Sequence, residues 1–256
     1  EITEEFHSRI TSLQFIDCNC WLGVGNYAEH FLRRDPQEIM DYLTKTCGIN
    51  QVIASSNFSR FSDPFQGNLD LQKTVSTRPE VLCGTFILTP VLPPEHPDYN
   101  SYIDTLVQGN IRIARVFPAL HNFSLTEYAC GPFLRILANR KIPLIIWTKE
   151  AGWQEIYEIA QAFPELPIIL EPSEEEAYWN LRYIIPLLQT CKNIYLETNR
   201  GHLYLGLDEI INRIGAERLI FGTNFPLDDP NGYLMLITHA DTTQDNKKLI
   251  ARDNIL

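Results

Sequence analysis

Short apolar segments alternate with longer amphipathic segments along this chain of 256 residues. The short segments have the length of buried β-strands, and the longer ones have the length of α-helices. The predicted strands are residues 14–18, 51–55, 82–87, 111–117, 142–147, 167–171, 193–197 and 218–222. The predicted helices include residues 36–47, 98–107, 131–139, 151–163, 175–190, 205–214 and 242–254. Eight strand–helix units in a chain of this size predict an α/β fold, namely a (β/α)8 TIM barrel.

Composition narrows the class of protein further. Hydrophobic residues make up 45% of the chain, and no linker or low-complexity tract divides it, so residues 1–256 are predicted to form a single domain. A formal net charge of −11 argues against nucleic acid or an anionic membrane as a partner. No apolar run approaches the roughly 20 residues that span a bilayer, and no leader is visible. These features favour a cytoplasmic protein.

The six cysteines do not form the paired clusters that hold zinc. A chain of this size also does not need disulfides for its stability. Strand alternation predicts that Cys18 and Cys20 point towards the helices, opposite Asn19 and Trp21. We therefore expect buried, reduced thiols, which is consistent with a cytoplasmic location.

Two segments carry a resemblance to a known family. Residues 15–23 read FIDCNCWLG and resemble I-D-x-H-x-H-x-G, the opening signature of the amidohydrolase superfamily in its aminocarboxymuconate-semialdehyde decarboxylase-like branch. Residues 218–226 read RLIFGTNFP and are similar to R-I-L-F-G-T-D-W-P of that family's eighth strand. The resemblance implies a metal-dependent-hydrolase-like barrel with its site at the carboxyl ends of the strands. It also implies hydrolase or carbon–carbon lyase activity.

The chain departs from this family at the metal ligands. The resemblance implies histidines on strands one, five and six and an aspartate on strand eight. The corresponding positions are Asn19, Trp21, Trp147, Asn224 and, on strand six, Glu171 or Pro172. An amide binds a divalent cation far more weakly than a carboxylate, and an indole does not bind it. We therefore predict that no metal is held by these positions and that a metal-bound hydroxide is not used.

Arg115 on the fourth predicted strand offers a replacement for the metal charge. A carboxylate left buried without a cation is destabilised by several kcal/mol. One interpretation is that Arg115 pairs with Glu171 or Asp17 inside the former metal volume. The alternative is that Arg115 points out between helices and pairs with a surface acid.

The remaining candidate residues lie at predicted strand ends or in the loops after them. Trp21 and Trp147 either fill the barrel mouth as core or act as apolar plates for a ring or a sugar. Glu197 begins an E-T-N run that could bind ligand hydroxyls or satisfy the loop backbone. The predicted catalytic residues are Arg115, Glu171 and Asn224, and the predicted substrate-binding residues are Asn19, Trp21, Trp147, Glu197 and His202.

Two functions fit this pattern. The first is a small-molecule-binding or catalytically degenerate relative that has lost the metal site. The second is an active hydrolase or decarboxylase-like lyase on a small carboxylate, lactone or sugar acid, without a metal or with one such as zinc at a non-standard site. Loop histidines could supply that site, namely His30, His96, His121 and His202. The apolar residues 233–237 are compatible with a homodimer contact.

Overall fold

A computed structural model describes residues 2–24, 35–173, 181–199 and 206–256. It contains one parallel sheet of eight strands in sequence order, with helices between successive strands. The strands are β1 Ile16–Leu22, β2 Gln51–Ser56, β3 Leu82–Ile87, β4 Ile111–Val116, β5 Leu144–Trp147, β6 Ile168–Glu171, β7 Ile194–Glu197 and β8 Leu219–Ile220. The Cys18 backbone amide donates to the Phe221 carbonyl at 3.1 Å, and the Trp21 backbone amide donates to the Phe225 carbonyl at 2.8 Å. These bonds join the first strand to the chain after the eighth, so the predicted (β/α)8 TIM barrel is confirmed.

The helices surround this sheet. They are α1 Ile2–Leu13, α2 Pro36–Asp41, α3 Asn57–Phe61, α4 Pro64–Val75, α5 Tyr99–Gln108, α6 Glu127–Arg140, α7 Trp153–Ala162, α8 Leu181–Thr190, α9 Gly206–Ile214, α10 Pro230–Thr238 and α11 Gln244–Lys248. π-Helical turns follow α2 and α11 at Tyr42–Thr46 and Leu249–Asp253, and a 3-10 turn covers Ala216–Arg218. Three helices, α2, α4 and α10, have proline in the first turn, where its missing N–H needs no partner. The carboxylate of the preceding aspartate (Asp35, Asp63 or Asp229) accepts from backbone amides of the same turn and so caps the helix.

Most predicted elements lie within two residues of the observed ones, but β1 and α6 do not, and α6 begins at Glu127, four residues before its predicted start. Gln14 has a φ of 54° and belongs to the turn after α1, so β1 begins at Ile16 and runs on to Leu22. Part of the helix predicted over 175–190 falls outside the described residues. Four of the observed helices had no predicted residue range, namely α1, α3, α4 and α10.

Side chains inside the barrel form three layers that can be followed along β4. Ile113 belongs to an apolar cluster at the amino-terminal end, here called the floor, with Ile16, Cys18, Ile53, Ile145, Ile169 and Ile220. Arg115 lies in the middle layer and is 1% exposed. Phe117 belongs to the upper layer with Trp21 and Ile87. Alternation along a strand places residues two apart on one face, which explains this order.

A β-bulge in β1 corrects the prediction for Cys18. Asp17 pairs with Val52 and Cys20 pairs with Ala54, so β1 contains one residue more than β2 over this step. The extra residue interrupts the alternation of side chains. Cys18 therefore lies in the floor, inside the barrel, whereas Cys20 packs in the outer core as predicted. All six cysteines are free; five are buried, and Cys83 is partly exposed.

Asn68 on α4 holds the end of β3 in place. Its side chain accepts from the Ile87 amide at 2.9 Å and donates to the Ile87 carbonyl at 2.9 Å and to the Tyr102 hydroxyl at 2.8 Å. Asn68 is fully buried, so these bonds replace water for the amide and for the backbone of Ile87.

Two further expectations concern surfaces. Tyr233, Leu234 and Ile237 are buried in α10, and Met235 is 52% exposed. The segment 233–237 thus offers little apolar surface for a homodimer, which stays a prediction. Within the described ranges, no helix has the length and apolar character needed to cross a membrane.

Candidate functional site

The middle layer of the barrel is a connected set of polar side chains, here called the polar layer: Asn19, Arg115, Glu171 and Glu197. Arg115 Nη1 donates to Glu171 Oε2 at 2.6 Å, and Nη2 donates to Asn19 Oδ1 at 2.9 Å. Asn19 Nδ2 in turn donates to both carboxyl oxygens of Glu197, at 3.1 and 3.2 Å. All four residues are buried. The chain of bonds runs from β6 through β4 and β1 to β7, across the interior.

Local backbone geometry brings these four side chains together. The bulge in β1 turns Asn19 inward two residues before Trp21. Arg115 pairs in register with Ile87 of β3 and Ile145 of β5, near the middle of the barrel. Glu171 and Glu197 are the last residues of β6 and β7. Carboxyl ends of adjacent parallel strands meet at one end of the sheet, so these two side chains are neighbours.

The polar layer holds more carboxyl groups than cations. Burial raises the pKa of Glu197 well above its ordinary value, and the nearby Glu171 raises it further, while Arg115 and the Asn19 amide act in the opposite direction. Arg115 forms its ion pair with Glu171 instead, at 2.6 Å. The arrangement is therefore an Arg115–Glu171 ion pair linked through Asn19 to a Glu197 carboxyl group whose raised pKa favours its neutral form.

Asp17 lies beside this layer, where β1 meets the chain after β8. Its carboxyl group accepts from the backbone amide of Thr223 at 2.9 Å and from the Thr223 hydroxyl at 2.5 Å. It also accepts from the backbone amide of Asn19 at 2.9 Å. Complete burial raises the pKa of Asp17 to about 7, although these bonds and Arg115 lower it. Asp17 thus positions Asn19 and helps to close the barrel.

An aromatic layer covers the polar layer on the side of the strand ends. Trp21 and Phe117 are each 1% exposed and pack with Ile87. The Arg60 guanidinium lies above them, with its Cζ between 4.8 and 5.0 Å from the ring centroids of Trp21, Phe61, Phe117 and Trp147. A guanidinium over several ring faces is stabilised by cation–π attraction. This layer separates the polar layer from the barrel mouth.

Several buried polar groups follow β6 and β7 at the mouth. Ser173, Thr198 and Asn199 are between 0% and 4% exposed. Their hydroxyl oxygens, and both polar atoms of the Asn199 amide, have no hydrogen-bond partner in the described part of the chain. Buried polar atoms are normally paired, so an unpaired group indicates a role other than stability. A small polar molecule at the mouth could pair with them.

The structure brings together some predicted site residues and separates others. Arg115 pairs with Glu171, as one of the two interpretations predicted, and not with Asp17 or a surface acid. Asn19 and Glu197 join the same network. Asn224, with a φ of 57°, donates instead to Asp228 at 2.8 Å in the loop after β8. The roles assigned to all these residues stay predictions.

The two tryptophans and the histidines differ in their placement. Trp21 is core, whereas Trp147 is partly exposed at the mouth. His202 and His30 lie outside the described residues. The His96 ring contacts the Tyr102 ring, with 4.4 Å between centroids and 49° between the ring planes, and His121 Nε2 is 2.8 Å from the Arg60 carbonyl oxygen. Across the described ranges, no three His, Cys, Asp or Glu side chains are arranged to hold a metal ion.

Sequence reasoning missed two contributors to the site. It did not include Arg60 among the predicted site residues, but the structure buries Arg60 among four aromatic rings. Its flanking residues Phe58 and Phe61 were the available signal. It also assigned no partner to Thr223, whose backbone and hydroxyl both bind Asp17.

Comparison with protein families gives one match of more than half the chain. The sequence model of a family described as Amidohydrolase matches residues 75–256. No curated protein sequence matches the chain.

Three solved structures illustrate the likeness in fold. An uncharacterised TIM-barrel protein from Bordetella bronchiseptica is 17% identical, with a TM-score of 0.68 over 99% of this chain and 89% of its own. The 5-carboxyvanillate decarboxylase from Sphingomonas paucimobilis is 12% identical, with a TM-score of 0.73 over 95% and 98%. A dihydroxybenzoic acid decarboxylase from Polaromonas sp. JS666, with bound manganese and the inhibitor 2-nitroresorcinol, is 15% identical, with a TM-score of 0.72 over 94% and 95%. At these identities the likeness shows the fold.

The different partners of the two buried glutamates give a first prediction: Glu171 pairs with Arg115, and Glu197 accepts from the Asn19 side chain. Glu171→Gln should lower the free energy of unfolding by about 3 kcal/mol, because it leaves the buried Arg115 without its counter-charge. Glu197→Gln should lower it by less than about 1 kcal/mol, because an amide of the same shape replaces a carboxyl group whose raised pKa favours the neutral form. Urea denaturation at neutral pH measures both. Equal losses would show that the two carboxyl groups carry similar charge.

The raised pKa of Asp17 gives a second prediction. Between its ordinary value of 3.8 and about 7, the folded protein holds a proton on Asp17 that the unfolded chain releases. Asp17 therefore makes the unfolding free energy fall as pH rises through this window, by at most about 1.4 kcal/mol for each pH unit. Asp17→Asn should flatten the pH dependence by that amount. Denaturation midpoints taken from pH 5 to 8 test this, and an unchanged slope would contradict it.

Proposed function

Because this chain belongs to the amidohydrolase family, we propose that it is a divergent member that binds a small polar molecule at the barrel mouth without using the family's metal centre. The observation that carries this proposal is the buried Arg115–Glu171 ion pair, with 2.6 Å between its charged atoms, at the level of the barrel where the family resemblance implies a metal. A guanidinium in that position supplies the positive charge that the neighbouring carboxyl groups need.

The side chains around this position fit a divalent cation poorly. Zinc is held by three or four imidazole, thiolate or carboxylate donors. Here Glu171 accepts from Arg115, and Glu197 accepts from the Asn19 amide. Asn19 offers one amide oxygen, which already accepts from Arg115 at 2.9 Å. A cation at this point would also lie close to the guanidinium, which would repel it.

The mouth has the features of a small polar binding site. Trp147 is partly exposed there, so part of its ring is available to pack on a ligand. Ser173, Thr198 and Asn199 provide buried hydroxyl and amide groups without partners in the described ranges. An apolar surface beside a few convergent polar groups is the usual composition of a ligand site. A ligand rich in hydroxyl or carbonyl groups would satisfy this set.

A second candidate function is a hydrolase or decarboxylase, and one observation favours it. Glu197 is a buried carboxyl group whose pKa is raised by burial and by Glu171, as expected for a residue that donates a proton near neutral pH. In a decarboxylation, the carbon that loses carbon dioxide would take this proton. Two of the similar structures are decarboxylases. The substrate would first have to displace the Trp21–Phe117 layer.

Metal content separates the two functions. Protein purified without chelator should contain far less than one equivalent of zinc, manganese, iron or nickel by elemental mass spectrometry. Incubation with each ion followed by desalting should not raise this value, because the donor set is occupied by Arg115 and Asn19. Close to one equivalent of any of these metals would overturn the proposal. It would instead favour the hydrolase or decarboxylase.

The unpaired amide of Asn199 should destabilise the protein in the absence of a ligand. Asn199→Leu is expected to raise the free energy of unfolding by about 1–3 kcal/mol, because it removes two buried polar atoms that have no partner among the described residues. Urea denaturation of the ligand-free protein measures the change.

Asn68→Leu is the matched control, because Asn68 is equally buried but fully bonded. It should lower the free energy of unfolding by a similar amount. If both variants destabilise the protein alike, Asn199 has a structural partner and is not kept for a ligand.

A further inference from the structure

The opposite end of the barrel contains an open cavity that the proposed function does not use. It has a volume of about 460 Å³ and lies where β1 to β4 begin. Ligand pockets usually measure about 300–1,000 Å³, so a small organic molecule would fit. In a TIM barrel this end normally serves stability and is filled by side chains. A cavity of this size is therefore unusual there.

The inner wall of the cavity is the apolar floor of the barrel. Ile16, Ile53 and Ile113 line it and remain between 5% and 7% exposed. Cys83 of β3 lines it as well and is partly exposed. The side chains of Ile16, Ile53 and Ile113 are hydrocarbon only, so they favour the apolar part of a ligand.

A cation stands beside this wall because of a second β-bulge. Gly84 pairs with Ile111 and Thr85 pairs with Ile113, so Arg112 is an extra residue in β4. A bulge redirects a side chain, and here Arg112 lines the cavity. Within the described ranges, Arg112 has no ion pair. Burial raises the pKa of the Cys83 thiol, and Arg112 lowers it, which is consistent with a guanidinium near that sulfur.

The charged side chains that line the cavity are Arg112, Lys141 and Glu80, so cations outnumber acids at its rim. Lys141 lines it and is 3.8 Å from Glu165, both on the surface. Glu80 is the acidic side chain of the lining, and it lies 4.0 Å from Arg78. Arg112 is thus the charged group best placed to receive an anion.

We propose that this cavity binds a small amphipathic carboxylate, with its apolar chain on Ile16, Ile53 and Ile113 and its carboxylate on Arg112. A guanidinium can receive a carboxylate through two parallel hydrogen bonds, which a neutral head group cannot match. The site is separate from the barrel mouth. Its occupation does not depend on whether the mouth binds a ligand or a metal.

Protection of Cys83 tests the proposal, with octanoate as the probe. Cys83 is the one cysteine of the six that is not buried, so N-ethylmaleimide should modify it first, as followed by intact mass. Octanoate should slow this reaction in a saturable way. Octan-1-ol, which has the same chain without the charge, should protect only at a concentration at least about tenfold higher, a ratio equivalent to about 1.4 kcal/mol. The variant Cys83→Ser should abolish the fast modification.

Arg112→Gln should raise the octanoate concentration for half-protection at least about tenfold, again a difference of about 1.4 kcal/mol. The matched control is Arg135→Gln, which changes a surface arginine of α6 that pairs with Glu127 at 3.0 Å. This variant should leave protection unchanged. Absence of protection by octanoate, equal protection by octan-1-ol, or equal effects of the two arginine variants would each overturn the proposal.

Discussion

The buried guanidinium of Arg115 is the charge on which the interior of this barrel depends. Two glutamates and Asp17 lie within its electrostatic influence, and all are removed from water. One cation cannot balance three carboxylates, so Arg115 pairs with Glu171, and burial raises the pKa of Glu197 and of Asp17. Asn19 makes this possible because its amide accepts from Arg115 and donates to Glu197. The order of strands around the barrel then determines which carboxyl group receives which partner.

The aromatic layer makes this balance possible by excluding water. Trp21 and Phe117 lie directly over the polar layer, and Arg60 lies over both rings. With water excluded, the ion pair gains strength and an unpaired carboxylate becomes costly. A ligand bound at the mouth, as proposed, would therefore be separated by these rings from the ionisable groups below.

Much of the fold could be predicted from the sequence, because strand length and helical periodicity are local properties. β3 was placed to the residue, and the pairing of Arg115 with Glu171 was one of the alternatives suggested by the need to neutralise a buried charge. The inward turn of Cys18 could not be predicted, since a bulge depends on how two strands pair. The burial of Arg60 was missed for a similar reason: its aromatic neighbours come from three different parts of the chain. His202 lies outside the described residues, so its predicted role is untested.

The two bulges show how a barrel of this kind can change its chemistry. Each adds one residue to a strand. The bulge in β1 lies just before the polar layer, and the bulge in β4 lies at the level of the floor. A single added residue reverses the inward or outward direction of every later side chain until the strand ends. Insertion and deletion in a strand can therefore exchange the whole inner lining for the outer one, whereas substitution alters one group at a time. In evolutionary terms, the length of a strand is as much a part of the site as the identity of its residues.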